Sequence, residues 1–277
     1  MYKIIVDSCG EFTEKMKENP VFVHAPLELS VGDWHQTDDE TFDQAVFLKK
    51  VAESEECPKS ACPSPEKYIR HFEGCDEVYI VTLSGNLSGS YNAARTAVDI
   101  YYEDHPDAKI HVFDSCSASV GETLIAMRIY EAKQAGKTFA EVVEEAETYR
   151  SEMNTFFVLD NLDTLRKNGR LSNIKAFIAS TLNIKPIMGG DKKGVIYQAG
   201  QKIGIKKALI AMCEEMIKVK QDLPGRILMI SHCNAPKRAA MVADIMKKTE
   251  LFSKIVVLDT DGVSSMYAND GGVIMVC

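Results

Sequence analysis

The segment VTLSGNLSGSYNAA, Val81 to Ala94, places three hydroxyls (Ser84, Ser88, Ser90) and two glycines (Gly85, Gly89) between an apolar run of strand length and alanines that suit a helix. A helix N-terminus offers unpaired N–H groups and the positive end of its dipole, so a turn of this kind suits an anion. The candidate anions are a phosphate, a developing oxyanion and a carboxylate. A phosphate loop needs G-x-x-x-x-G-K-[ST], whereas three residues separate Gly85 from Gly89 and no lysine follows. The G-x-S-x-G nucleophile elbow is missing as well.

Other segments carry polar groups that could join this turn. In KSACPSP, Lys59 to Pro65, two prolines are expected to forbid regular structure and hold a rigid loop. Ser64 before Pro65 reads as a helix N-cap with proline at the first helical position, which leaves Ser60 as the hydroxyl without a structural duty. In NLDTLRKNGRLS, Asn161 to Ser172, a helix should stop at Asn168-Gly169 in a left-handed turn, with Arg170 beside it to meet an anion. Two strand ends share a phrase, IIVDSCGE at 4–11 and HVFDSCSA at 111–118, and Asp7 and Asp114 are expected to cap the helices that follow. His232 ends the run ILMISH; with Ser88 and Asp114 it completes the residue types of a nucleophilic triad. A serine hydrolase acting on acyl esters is therefore the alternative from the enzyme class.

The elements that must position these groups alternate. Strand patterns at Tyr2–Val6, Glu77–Thr82 and Lys109–Phe113 are each followed by a polar turn and a helical pattern, which implies βαβ units and a parallel sheet. The carboxyl edge of such a sheet is where ligands bind. Gly121 to Ala135 reads as a helix with one apolar face, and Thr138 to Arg150 as an acidic, mostly solvated helix. A boundary near residue 150 divides the chain into units 1–150 and 151–277. The second unit reads as strand Thr155–Leu159, helices over 161–184, a hairpin around Asp191–Gly194, helix 205–220, strand Ile227–Ser231, helix Pro236–Thr249, and strands Lys254–Leu258 and Val273–Val276.

Composition narrows the function. The 277 residues are 45% hydrophobic and 26% charged, an ordinary globular balance with enough apolar content for a substantial core. A net charge of −8 supplies no basic surplus for a nucleic acid, and no apolar run approaches the roughly 20 residues of a membrane span. MYKIIVDSCGEF starts directly with a strand pattern and has no signal-peptide pattern, so a cytoplasmic location is expected. The eight cysteines lack any C-x-x-C pairing and read as reduced thiols; no metal or cofactor site is expected.

In this order, the blocks VDS (Val6–Ser8), SACPSP, LSGNLSGSYNAA, VFDSCSASVGE, NLDTLRKNGRLS, LNIKPI (Leu182–Ile187) and SHCNAP resemble the DegV family of bacterial fatty-acid-binding proteins along essentially the whole chain. The resemblance implies two α/β domains: an N-terminal three-layer α/β/α domain with a mainly parallel sheet, and a C-terminal domain with a mixed sheet. It implies a carrier, not a catalyst. A long-chain fatty acid would lie with its tail in an apolar tunnel and its carboxylate between the domains, where a separate ATP-dependent kinase subunit phosphorylates it to an acyl phosphate. The head-group positions correspond to Ser60, Ser88 and Gly89, and the arginine of the GR phrase to Arg170. Ile174, Phe177, Ile178 and Leu182 form a candidate tunnel wall. The chain departs from the family's pattern at Ala61, which removes one hydroxyl, and at Gly204, where an arginine is common. SSMYANDGGVIMVC also lacks the usual histidine, leaving Tyr267 and Asn269 as polar groups for that place. A ligand-sensing regulator without lipid traffic is a further alternative.

Overall fold

The computed structural model describes residues 1–171, 183–220 and 225–277; the helix expected at Ile174–Leu182, with its tunnel residues, lies outside them. In chain order the first half contains β1 (Tyr2–Asp7), α1 (Glu14–Lys17), β2 (Phe22–Ala25), β3 (Glu28–Val31), β4 (Trp34–Thr37), α2 (Gln44–Glu53) and β5 (Lys59–Ala61). It continues with α3 (Pro65–Ile69), β6 (Glu77–Thr82), α4 (Ser90–Asp104), β7 (Lys109–Asp114), α5 (Val120–Gln134) and α6 (Phe139–Glu152). The second half contains β8 (Thr155–Val158), α7 (Asp163–Lys167), β9 (Ile184–Gly190), β10 (Ile196–Ile203) and α8 (Ile205–Lys220). It ends with β11 (Arg226–His232), α9 (Pro236–Lys247), β12 (Phe252–Asp259), α10 (Gly262–Ala268) and β13 (Val273–Val276).

The first sheet, ordered β2-β1-β6-β7, is parallel throughout. Its central strands are apolar on both faces because helices cover both. Ile5 and Ile80 face Tyr68, Phe72, Ala94 and Ala97 of the α3–α4 layer, whereas Ile4, Val6, Tyr79 and Val81 face α5. The second sheet, ordered β10-β9-β8-β13-β11-β12, is mixed: only β11 and β12 run parallel. Its outer face carries Phe156, Val158, Val273 and Met275 against α8 and α9.

Two expectations are corrected here. The helix at 121–135 is not amphipathic: Val120 to Ala126 is buried without interruption. The cause is tertiary, since α5 contacts β1 and β6 of one sheet and β11 and β13 of the other. The KSACPSP segment is not wholly irregular either. Lys59–Ala61 precedes Pro63 and keeps its donors, so it pairs as β5 with β3 in a small antiparallel sheet with β4.

Candidate ligand site

Parallel pairing carries Asp7, Thr82 and Asp114 to one sheet edge. Asp7 accepts from the Leu83 N–H at 2.8 Å and the Cys9 N–H at 3.1 Å. Asp114 accepts from Gly85 N–H at 3.1 Å and Cys116 N–H at 3.0 Å. Contrary to the expectation from the sequence, neither aspartate caps a helix; the N-cap positions of α1 and α5 belong to Thr13 and Ser119. The two carboxylates instead close their own turns and clamp the serine turn from behind. Burial pushes the Asp7 pKa up, opposed by the Leu83 and Cys9 N–H groups. The β9–β10 hairpin, where the Asp191–Gly194 turn was expected, docks on the same turn: the Ser84 hydroxyl donates to Gly194 O (3.1 Å) and Asn86 Nδ2 to Lys193 O (2.7 Å).

The remaining polar groups gather in front. The Ser88 hydroxyl accepts from Ser90 N–H at 3.2 Å and lies 3.0 Å from Ser90 Oγ. Gly89, at the N-cap of α4, is exposed and faces Cys62, whose Sγ would stand 3.0 Å from a Cβ added there. Two residues before Cys62, Ser60 Oγ lies 3.5 Å from the Tyr267 hydroxyl. Arg170 leaves α7 through the expected left-handed Gly169 (φ 78°), with Gly169 N–H to Arg166 O and Arg170 N–H to Leu165 O closing the helix. Its guanidinium donates to Leu87 O (3.0 Å) and Asn168 O, and lies 6.0 Å from the centre of the Tyr267 ring. Serine turn, β5, α7 and α10 thus meet at Ser60, Leu87, Arg170 and Tyr267. Asn269 is occupied locally: it accepts from Thr164 Oγ1 (3.0 Å) and donates to Tyr267 O (3.1 Å).

Behind Arg170 and Tyr267 lies an apolar cavity between the inner face of the second sheet and the serine and DSCSAS turns. Its floor follows the two-residue period of β8, with Thr155, Phe157 and, just past the strand, Leu159 on the inner side, beside Ile274 of β13. Leu83, Leu87, Val263 and Ile196 close other sides. At its edge, Cys116 (φ 49°) and Ser119 (φ 58°) hold left-handed backbone that non-glycine residues rarely adopt. Ser119 is fixed there by its hydroxyl, which donates to the buried Glu11 carboxyl at 2.8 Å and lies 2.7 Å from Ser231 Oγ. Burial pushes the Glu11 pKa up to about 8, with Asp261 adding repulsion.

The triad residues do not join. His232 Nδ1 lies 3.2 Å from Asp259 and 3.3 Å from Ala235 N, Asp114 is engaged by backbone, and the Ser88 hydroxyl is engaged with Ser90. Among the described residues, no hydrogen bond connects Ser88 to His232 or Asp114.

The family model matching residues 1–276 is described as "Uncharacterised protein, DegV family". The chain belongs to the DegV family. It is 36% identical over 276 residues to a DegV domain-containing protein of Streptococcus pneumoniae strain R6, covering 99% of this chain and 98% of that protein. A DegV-family crystal structure from Ruminococcus gnavus, refined with vaccenic acid, superposes with a TM-score of 0.97 at 47% identity, covering 100% of this chain and 99% of the other. The Streptococcus pneumoniae fatty acid kinase B3 protein, loaded with linoleic acid, superposes at 0.90 with 34% identity, covering 99% and 98%.

In this DegV chain the cavity floor was missed at the sequence level. Its signal is the alternation Thr155, Phe157, Leu159 within TFFVL, which marks a second apolar face opposite Phe156 and Val158. Asp38 was missed too. It is buried and accepts from Gly262 N–H (2.7 Å), Val263 N–H (2.9 Å) and Ser8 Oγ (2.9 Å), tying α10, and with it Tyr267, to the N-terminal half.

Proposed function

We propose that the chain binds a long-chain fatty acid and presents it to a separate ATP-dependent kinase subunit, which forms the acyl phosphate. In this reading Ser60, Ser88, the Gly89 N–H, Arg170 and Tyr267 receive the carboxylate, and the cavity receives the acyl tail. The units 1–150 and 151–277 act as two domains with the head-group crevice between them. The cytoplasm, where such a kinase finds ATP, is the proposed location; the described helices include none long and apolar enough to cross a membrane. No cofactor is assigned.

The observation that carries the reading is the apolar cavity with Arg170 and Tyr267 at its polar end. A carboxylate only accepts hydrogen bonds, and hydroxyls, a guanidinium and helix-terminal N–H groups only need to donate to it. Each buried methylene adds about 0.8 kcal/mol, so an apolar tail supplies most of the affinity. Relatives refined with vaccenic acid or loaded with linoleic acid, the latter named a fatty acid kinase B3 protein, support the same ligand class and partner. The test is mass spectrometry of a solvent extract from protein purified out of a bacterial host. A stoichiometric long-chain acid is expected; no lipid, and no uptake of added oleate, overturns the proposal.

A further inference from the structure

Two adjacent glycines end β9, and the fold needs only one of them. A Cβ on Gly189 would lie 2.8 Å from Tyr197 Cζ, so a side chain there would have to displace the Tyr197 ring. A Cβ on Gly190 would meet Thr155 Cβ at 3.7 Å and Cys116 O at 3.9 Å, which is ordinary van der Waals contact. Gly190 is also not among the residues with left-handed φ. Glycine in a strand loses conformational entropy and packing, so a glycine that neither sterics nor backbone requires needs another reason.

The cavity supplies that reason. Gly190 pairs with Thr155 and lines the cavity there. Thr155 stands about 13 Å along the chain from Leu159, taking four residues at 3.3 Å each. Leu159 belongs to the same apolar cluster as Leu165 and Tyr267, at the polar end. Gly190 therefore sits at the opposite end of the β8 floor from Leu159. The Ser117 and Thr155 hydroxyls beside it lie 2.7 Å apart and hydrogen-bond to each other.

We propose that Gly190 sets the acyl-chain length this cavity accepts: its missing side chain is the space taken by the methyl end of the ligand. The inference rests on the fatty-acid reading above. Its test compares wild type, Gly190→Ala and Gly190→Val across laurate, myristate, palmitate and stearate by fluorescent-acid displacement, with thermal unfolding as a control for folding. Valine suits a strand, and the contacts at the Cβ position accommodate alanine without rearrangement. The stearate-to-laurate affinity ratio should fall by about fourfold for each methylene excluded, less in the alanine variant than in the valine variant. An equal loss for all four acids, or an unchanged ratio in both variants, overturns the role of Gly190. A wild type that binds none of them overturns the fatty-acid reading itself, and this inference with it.

Discussion

Ser88→Ala separates a ligand hydroxyl from a helix cap, because the structure gives Ser88 a modest structural role and a half-buried position. Its described bonds both go to Ser90, one from the Ser90 N–H (3.2 Å) and one shared with the Ser90 hydroxyl (3.0 Å). If capping is its whole duty, alanine costs about 0.5–2 kcal/mol of stability and leaves ligand affinity intact. If the hydroxyl also donates to a carboxylate, a charge-assisted bond of about 1.5–3 kcal/mol is lost on binding. At 1.4 kcal/mol per tenfold, that is roughly a 10- to 150-fold rise in Kd. Displacement of a fluorescent fatty acid gives Kd, calorimetry of delipidated protein gives stability, and Ser88→Thr, which keeps a hydroxyl, should stay near wild type in Kd. A Ser88→Ala variant with lowered Tm and unchanged Kd refutes the reasoning and leaves the carboxylate to Ser60, the Gly89 N–H, Arg170 and Tyr267.

Asp38→Ala leaves the Gly262 and Val263 N–H groups without their acceptor, and at about 1–3 kcal/mol per orphaned group the loss should be about 3 kcal/mol or more. For a chain of this size that is a Tm drop of roughly 6–12 °C, and calorimetry showing less than about 2 °C would contradict the assigned tie. Stability should also fall as pH rises from 6.5 to 8. Burial raises Asp38 to about 7 and Glu11 to about 8, so the folded chain holds protons that the unfolded chain releases near the ordinary carboxyl values of 3.8 and 4.5. His24, lowered by burial to about 4, works weakly in the opposite sense, because its unfolded imidazole, near 6.5, still holds part of a proton at the low end of that window. Thermal scans at the two pH values should give the lower Tm at pH 8, and Glu11→Gln should flatten the difference; a Tm that rises with pH contradicts the assignment.

The parts of the fold that could be read from the sequence are those whose burial pattern is local. β1, β6 and β7 are short apolar runs ending in polar turns, and their parallel pairing follows from the helices between them. The turn at Gly169 is likewise local, since Asn-Gly after a basic helix end marks a left-handed stop. What escaped depends on a distant partner. The segment forming α5 has apolar residues on more than one side, and only the presence of a second sheet explains why. Asp7 and Asp114 read as caps because Asp at a strand end followed by a helix usually is one; the N–H groups of Leu83 and Gly85 lie in other parts of the chain. Asp38 had no motif at all, and the two backbone N–H groups it accepts from, at Gly262 and Val263, are more than 200 positions away.

The arrangement of charge explains why such a site suits carriage over retention. The two aspartates that shape the serine turn already take the Leu83, Gly85, Cys9 and Cys116 N–H groups, so their negative charge is spent behind the turn. In front stand hydroxyls, the start of α4 and one guanidinium whose described partners are two carbonyl oxygens and a tyrosine ring. On the proposed reading, a head group held this way gains a few kcal/mol at most, and affinity scales with the length of the buried tail. Gly89 beside it is exposed, so the carboxylate end faces outward while the tail is enclosed. A phosphoryl donor must reach a carboxylate oxygen, and a deep multi-cation clamp would hide that oxygen and lower its nucleophilicity. Weak donors at an open edge and strong apolar burial behind them satisfy both requirements at once.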